Sequence, residues 1–302
     1  MSSYHVLLWA FGDALYRREN VRHATLLFCA FGGRAFVLTK ARGNLVGKME
    51  EMHKIHVSKK DGVGNDIYFN ADSLIGAKHH YVLFVDIMGM KSTMLRSFSK
   101  STIFMGKMHS ALSSLKLENT QVKIYPVMDG AYVVSVDREA IFEFIDKLFT
   151  RLAKVFVATD KPENCFLVRG CLAYGPVIGG NMIDESVSRQ LAGDAEYKGR
   201  LLFGLPVSLA YDGEHKAPPF GLYLDTTVRV VVNKRLSGIW YRWCKDESLR
   251  NGVVKGTIAY FEWAKKKCLE LMYDAAKIQS HEQLCNQYWD ITIAKQEIGG
   301  AK

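Results

Sequence analysis

The sequence predicts an α+β domain in which helices cover one side of a mainly antiparallel sheet, and three observations predict it. Residues 81–86 form a continuous apolar run, Tyr81-Val82-Leu83-Phe84-Val85, that ends in the single carboxylate Asp86. Residues 121–136 hold two β-type runs separated by Asp129-Gly130, a pair that favours a tight hairpin. Residues 138–158 keep Ile141, Phe144, Ile145, Leu148, Phe149, Leu152 and Phe156 at i, i+3, i+4 spacing, which makes one stripe of a helix apolar. A strand, a helical stretch, a hairpin and a second helix bury their apolar faces most simply as helices on a sheet.

Taken in order, residues 1–77 are an N-terminal extension in which apolar and basic pieces alternate and glycines interrupt any period, read as a small helical element or an extension without its own fold. The central domain is expected over residues 78–245. After the strand at 81–86, residues 91–116 place Met94, Leu95, Phe98, Ile103, Met108, Leu112 and Leu115 at helical spacing, with a break at 99–102. A strand at 166–173 is expected to close at Gly175-Pro176 and Gly179-Gly180, followed by a polar excursion at 181–199 and a short strand at 201–203. Residues 205–214 suit a helix with Pro206 near its start, and 221–225 and 228–232 read as strands. Residues 246–302 turn helical, with Lys265-Lys266-Lys267 as a basic flank.

Bulk properties exclude several classes. The chain of 302 residues is 48% hydrophobic and 24% charged, as in an ordinary folded protein. Its formal charge is +9, but about +6 of that lies in the first 60 residues, which argues against a basic nucleic-acid face on the central domain. The six cysteines form no CxxC pair, so neither a zinc site nor a disulfide framework is indicated. No apolar run reaches the roughly 20 residues of a membrane span, and residues 6–16 make a poor signal peptide, so a cytoplasmic location is expected.

The chemistry concentrates at Asp86 and Asp129. When the first strand is central and the hairpin lies beside it, the end of that strand and the hairpin tip share an edge, and the two carboxylates approach each other. Two carboxylates with a neighbouring backbone carbonyl can hold divalent ions, which neutralise a triphosphate and activate an oxygen. Each acid alone has a plainer reading: Asp86 suits a turn or helix cap, and Asp129 the first residue of an Asp-Gly turn.

Phe84-Val85-Asp86-Ile87-Met88-Gly89-Met90, then Met128-Asp129-Gly130-Ala131-Tyr132, then Val168 through Gly180 resemble, in order and spacing, three successive motifs of class III nucleotidyl cyclases. Residues 201–214 resemble the fourth in position. The resemblance covers about half the chain, from Tyr81 to near Asp225. It implies a ferredoxin-like catalytic domain acting as a homodimer with composite sites, in which Asp86, the Ile87 carbonyl and Asp129 hold two Mg2+ or Mn2+ ions. The turn from Met88 to Ser92 would cradle the β- and γ-phosphates, with Ile87, Met88, Gly89, Met90 and Lys91 among the substrate-binding residues. Attack of the ribose 3′-oxygen on the α-phosphate would then yield a cyclic nucleotide and pyrophosphate.

Departures from the family pattern bear on which cyclase this resembles. Purine cyclases carry polar base readers at the positions aligned with Tyr125 and Leu201; here one is bulky and the other apolar. A pocket that leaves purine polar groups unpaired rejects them. With Tyr125 and the stretch from Ala210-Tyr211 to Glu214, the chain looks like the Pycsar antiphage pyrimidine cyclases. That resemblance implies UTP or CTP as substrate, cyclic UMP before cyclic CMP as product, and a separate effector that senses it. The usual transition-state Asn and Arg are replaced by Ser208 and Asp212, so either Arg169 or Arg200 substitutes or the ions carry more of the chemistry. Arg169 also suits a structural ion pair, and Tyr125 an ordinary sheet position. A degenerate domain that binds nucleotide without chemistry, and a purine cyclase with another base reader, remain as alternatives.

Overall fold

In the computed structural model, residues 28–31, 34–37, 69–70, 76–231 and 238–291 are described. The chain divides into two units, Met1–Gly64 and Asn65–Lys302. In the first, β1 (Phe28–Phe31) and β2 (Arg34–Val37) pair antiparallel, with Phe28 opposite Val37. The described part of this extension is therefore stranded, where a small helical element or an extension without its own fold was expected. Two β-type runs on either side of Gly32-Gly33 satisfy their backbone groups against each other more readily than a helix interrupted by two glycines would.

The second unit starts its sheet with β3 (Lys78–Ile87), whose residues alternate between two buried faces. Tyr81, Leu83, Val85 and Ile87 enter one core, while Val82 and Phe84 enter another. Two helices follow, α1 (Met90–Arg96) and α2 (Phe98–Glu118). The break between them falls at Ser97, two residues before the expected position, because the extended Ser97 caps α2 by accepting a hydrogen bond from the Lys100 backbone N–H at 3.2 Å. The hairpin forms as expected from β4 (Lys123–Val127) and β5 (Gly130–Ser135). Next comes α3 (Arg138–Val157), capped by Asp137, whose carboxylate accepts from Ala140 N–H at 2.8 Å.

The strand expected to end at Ala173 continues as β6 (Val168–Gly179). Ladder pairing with β3 runs from Ile87 opposite Val168 to Lys78 opposite Val177, so long-range pairing overrides the Gly175-Pro176 signal. Pro176 is tolerated because the outer edge of β6 pairs with other strands only at 170–172 and 178–179, leaving no ladder there to interrupt. The polar excursion holds α4 (Arg189–Ala192) and α5 (Ala195–Gly199), and then β7 (Leu202–Phe203) and α6 (Leu205–Gly213). After β8 (Leu222–Leu224), the β-branched run expected as a strand is instead α7 (Thr226–Val231). Asp225 starts that turn: its carboxylate accepts from Thr227 N–H at 2.9 Å and Thr227 Oγ1 at 2.7 Å, and local capping overrides strand propensity.

The last strand is β9 (Trp240–Tyr241), followed by α8 (Glu247–Lys266), α9 (Cys268–Leu271) and α10 (Ala275–Trp289). The sheet order is β4-β5-β3-β6-β8-β9, antiparallel throughout except for β6 beside β8. Val253 and Phe261 of α8 and Ile278 and Tyr288 of α10 belong to the same buried cluster as Leu83, Met108 and Phe144. Each large apolar side chain so buried contributes about 1.5–3 kcal/mol, so the C-terminal helices share the main core of the sheet. Helix α6 packs on the opposite face, where Ala210 meets Val82, Phe84 and Ala173.

Candidate active site

Asp86 is the penultimate residue of the central strand, half-buried, in line with Val82 and Phe84. Its carboxyl pKa is raised to about 7, first by burial, then by the neighbouring charges of Asp129 and Glu214; Arg169 and the Ile87 N–H act the other way. The hairpin brings Asp129 there because β5 pairs with β3, Ala131 opposite Val85. Gly130 makes the approach sterically feasible: a methyl group on it would come within 2.7 Å of the Val85 carbonyl oxygen and 3.1 Å of Asp86 Oδ1. The Asp-Gly pair thus serves both the turn and the meeting of two carboxylates. Met128, at the turn, has φ 48° and is exposed.

Ile87 and Met90 are buried, Met88 is half-buried, and Lys91 is exposed. Gly89 between them has φ 72°, a conformation that glycine adopts without strain. Its carbonyl accepts from Ser92 Oγ at 2.9 Å, Thr93 N–H at 3.1 Å and Thr93 Oγ1 at 3.2 Å, which fixes the turn from β3 into α1.

Arg169 lies directly opposite Asp86 in the β3–β6 ladder. Its guanidinium is engaged by Glu214, with Nη2 donating to Oε1 at 3.0 Å and Nε paired with the other oxygen, and both side chains are about 15% exposed. On its far side, Nη1 lies 3.5 Å from His281 Nε2, and His281 Nδ1 meets the Tyr273 hydroxyl. Burial, then Arg169, then Lys277 push the His281 pKa down to about 4, so the imidazole is neutral at pH 7. Arg169 can only donate, so Nε2 accepts, and Nδ1 carries the proton and donates a hydrogen bond to the tyrosine oxygen. These C-terminal partners are absent from the sequence-based site. Lys277 and His281 are one helical turn apart, but sequence spacing gives no sign that their helix returns to Arg169, 112 residues away from His281.

A cleft of about 240 Å³ opens beside Asp86. Gly89, Ser92, Thr93 and Arg96 form one side, and Tyr260, Tyr273, Lys277 and His281 form another. The Asp86–Asp129 edge has an oxygen-only donor set suited to a hard divalent ion, and crowding of two acids is what a cation relieves. Among the described residues no group of three or more His, Cys, Asp or Glu side chains is gathered to bind an ion. A backbone oxygen, such as the Ile87 carbonyl, and ligand oxygens would have to complete the coordination.

Tyr125 stands in one row with Tyr132 and Phe84 across β4, β5 and β3, on the face that carries Asp86. Two strand spacings and two residues separate it from Asp86, about 12 Å. Its ring is buried beneath the Lys123 ammonium, 4.7 Å from the centroid, and it lines a second cleft of about 410 Å³ with Lys123 and Asn181. Ser208 and Asp212 are both exposed on α6. Arg200 is at the surface, paired with Glu196, whereas Arg169 is in the Asp86 cleft.

No family model matches the chain, and no curated protein matches it. Solved adenylyl and guanylyl cyclase structures do. A bacterial light-regulated adenylyl cyclase is similar over 53% of this chain and 47% of its own, at 14% identity and a TM-score of 0.40. The adenylyl cyclase CyaB from P. aeruginosa matches over 53% of this chain and 83% of its own, at 14% identity and a TM-score of 0.38. The catalytic core of a rhodopsin-guanylyl cyclase with converted specificity, in complex with ATPalphaS, matches over 53% and 83%, at 15% identity and a TM-score of 0.35. The matched region thus spans about half the length of the light-regulated cyclase.

Proposed function

We propose that the chain is a metal-dependent nucleotidyl cyclase that converts UTP to 3′,5′-cyclic UMP and pyrophosphate. The observation that carries this reading is the convergence of Asp86 and Asp129 at the end of the central strand, where a Cβ at Gly130 would come within 2.7 Å of the Val85 carbonyl oxygen. Asp86, the Ile87 carbonyl and Asp129 would hold two Mg2+ or Mn2+ ions. Bound there, such ions supply charge neutralisation of the triphosphate and a lowered pKa for the ribose 3′-hydroxyl. The chain's own part is positional: the turn from Met88 to Ser92 holds the terminal phosphates, and Arg169 supplies positive charge near the reacting centre. Tyr125 fills the base end of the row and leaves space for a pyrimidine, and its distance from Asp86 is one that a bound nucleotide can bridge.

The site would be completed by a second copy of the chain. Phe203, Leu205 and Tyr211, on β7 and α6 of the sheet face that carries Asp86, are exposed and apolar enough to support such packing. The product would act as a second messenger for a separate effector in antiphage defence, within the cytoplasm; this setting rests on the resemblance to pyrimidine cyclases. No helix among the described residues is long and apolar enough to cross a membrane.

Two other readings have specific support. CTP in place of UTP is supported because the resemblance to pyrimidine cyclases covers both pyrimidines, and the polar groups beside Tyr125, Lys123 and Asn181 among them, can meet either base edge. A nucleotide-binding module without catalysis is supported by Ser208 and Asp212 in place of the usual transition-state pair, and by Arg169 being tied to Glu214. The experiment is incubation of the purified full chain with each of the four ribonucleoside triphosphates and Mn2+, with chromatography of the products. Cyclic UMP is expected. No cyclic product at a concentration that supports dimers overturns the enzyme reading, and a product that persists after Asp86→Ala and Asp129→Ala overturns the site.

A further inference from the structure

The Asp86 cleft has a wall made by the C-terminal helices, and that wall carries a cation without a partner acid among the described residues. Met272 closes α9 in a left-handed conformation (φ 49°), which turns the chain and brings Tyr273 to the cleft. Asp274 then caps α10 by accepting from Ala276 N–H at 2.7 Å and Lys277 N–H at 3.2 Å. The helix that follows presents Lys277 and His281 on one face. Tyr273 and His281 are bound to each other and, through Arg169, to the central sheet.

Arg96 of α1 also lines this cavity. Neither Lys277 nor Arg96 is paired with a carboxylate among the described residues; Arg96 Nε donates only to the Ser92 carbonyl at 3.3 Å. Two uncompensated cations and the hydroxyls of Ser92 and Thr93 therefore surround a cleft whose volume lies below the roughly 300–1,000 Å³ needed to enclose a whole small molecule. It suits a polyphosphate tail whose nucleoside lies outside it. Neutral His281 adds no further charge but spaces Lys277 from Arg169.

We propose that Lys277, carried to the Asp86 cleft by the C-terminal helices, binds the terminal phosphates of the substrate together with Arg96. This rests on the cyclase reading above and deepens it: residues 275–289 become part of the substrate site. A lysine ammonium serves as a point charge for phosphate without demanding the bidentate geometry of arginine.

The test uses the full chain with Lys277→Ala, Lys277→Glu and the conservative Lys277→Arg; the side chain is exposed, so these variants leave the core untouched. Cyclisation kinetics should show KM for the triphosphate raised about tenfold in Lys277→Ala and further in Lys277→Glu, with kcat within about twofold and Lys277→Arg near the parent. Calorimetric binding of inorganic triphosphate with Mg2+ should weaken in the same order. Cyclisation with unchanged KM and unchanged triphosphate affinity in Lys277→Glu overturns the proposal and leaves the cyclase reading standing. A fall in kcat alone overturns it as well, as does a parent chain that does not bind inorganic triphosphate. Triphosphate binding that depends on Lys277 in a chain that cyclises no nucleotide overturns the cyclase reading and supports the phosphate site.

Discussion

The two walls of the Asp86 cleft are built by different means. The acidic edge is set by backbone ladders: β3 pairs with β5 on one side and β6 on the other, so Asp86, Asp129 and Arg169 are placed by register. The C-terminal wall has no ladder to this edge. It is held by the burial of Phe261, Ile278 and Tyr288 and by the side-chain chain from Glu214 through Arg169 and His281 to Tyr273. Ladder placement rests on backbone hydrogen bonds and, at this edge, on the space left by Gly130, whereas side-chain placement responds to substitution of each linked group and to pH. The groups assigned to chemistry sit on the first kind of support, and the cation assigned to the phosphate tail sits on the second.

Substitutions that separate these two supports should differ most in activity. Removing Asp129 with Asp129→Ala should lower cyclic-product formation at least about a thousandfold while thermal stability stays near the parent value, as read by chromatography and calorimetry. Phe261→Ala attacks the other support. It should lower unfolding free energy by about 3–5 kcal/mol in a denaturant titration, with one transition for sheet and C-terminal helices together. A separate early transition for the helices would break the picture of a shared core.

Smaller effects sharpen the comparison. Glu214→Ala leaves Arg169 without its main partner and should cost about 3 kcal/mol, less if Asp86 takes over the guanidinium; the Asp86 carboxyl pKa should then fall, which an NMR titration of the carboxyl carbon reads. His281 binds its proton near pH 6.5 when unfolded but only near pH 4 in place, so the unfolded chain holds more protons between these values. Its contribution is therefore complete above about pH 6.5 and is lost as pH falls toward about 4. His281→Leu should flatten that part of the curve of melting temperature against pH. At the bottom of the scale, Arg200→Ala removes an exposed pair with Glu196 on a short helix and should change stability by less than about 0.5 kcal/mol.

Much of the central unit was legible in the sequence because its signals are local. The apolar run before Asp86, the Asp129-Gly130 turn and the stripe from Ile141 to Phe156 each specify an element within twenty residues, and each formed where expected. Elements misread from the sequence were those in which distant or competing contacts outweighed local preference. Pro176 stayed in a strand because β3 supplied a partner, and the β-branched residues at 226–231 became helical because Asp225 capped them. In the N-terminal extension, a pair of strands stands where a small helical element or an extension without its own fold was expected.

The sequence by itself determined the first strand, the hairpin and the helix after it, and the two acids that their turns deliver, since period and turn chemistry act between near neighbours. The tertiary structure alone decided that Glu214 holds Arg169, and that Tyr273, Lys277 and His281 return from the end of the chain to face Asp86. Such contacts depend on how the C-terminal helices fill the core beside the sheet, a choice made by packing over more than a hundred residues, for which no local pattern exists.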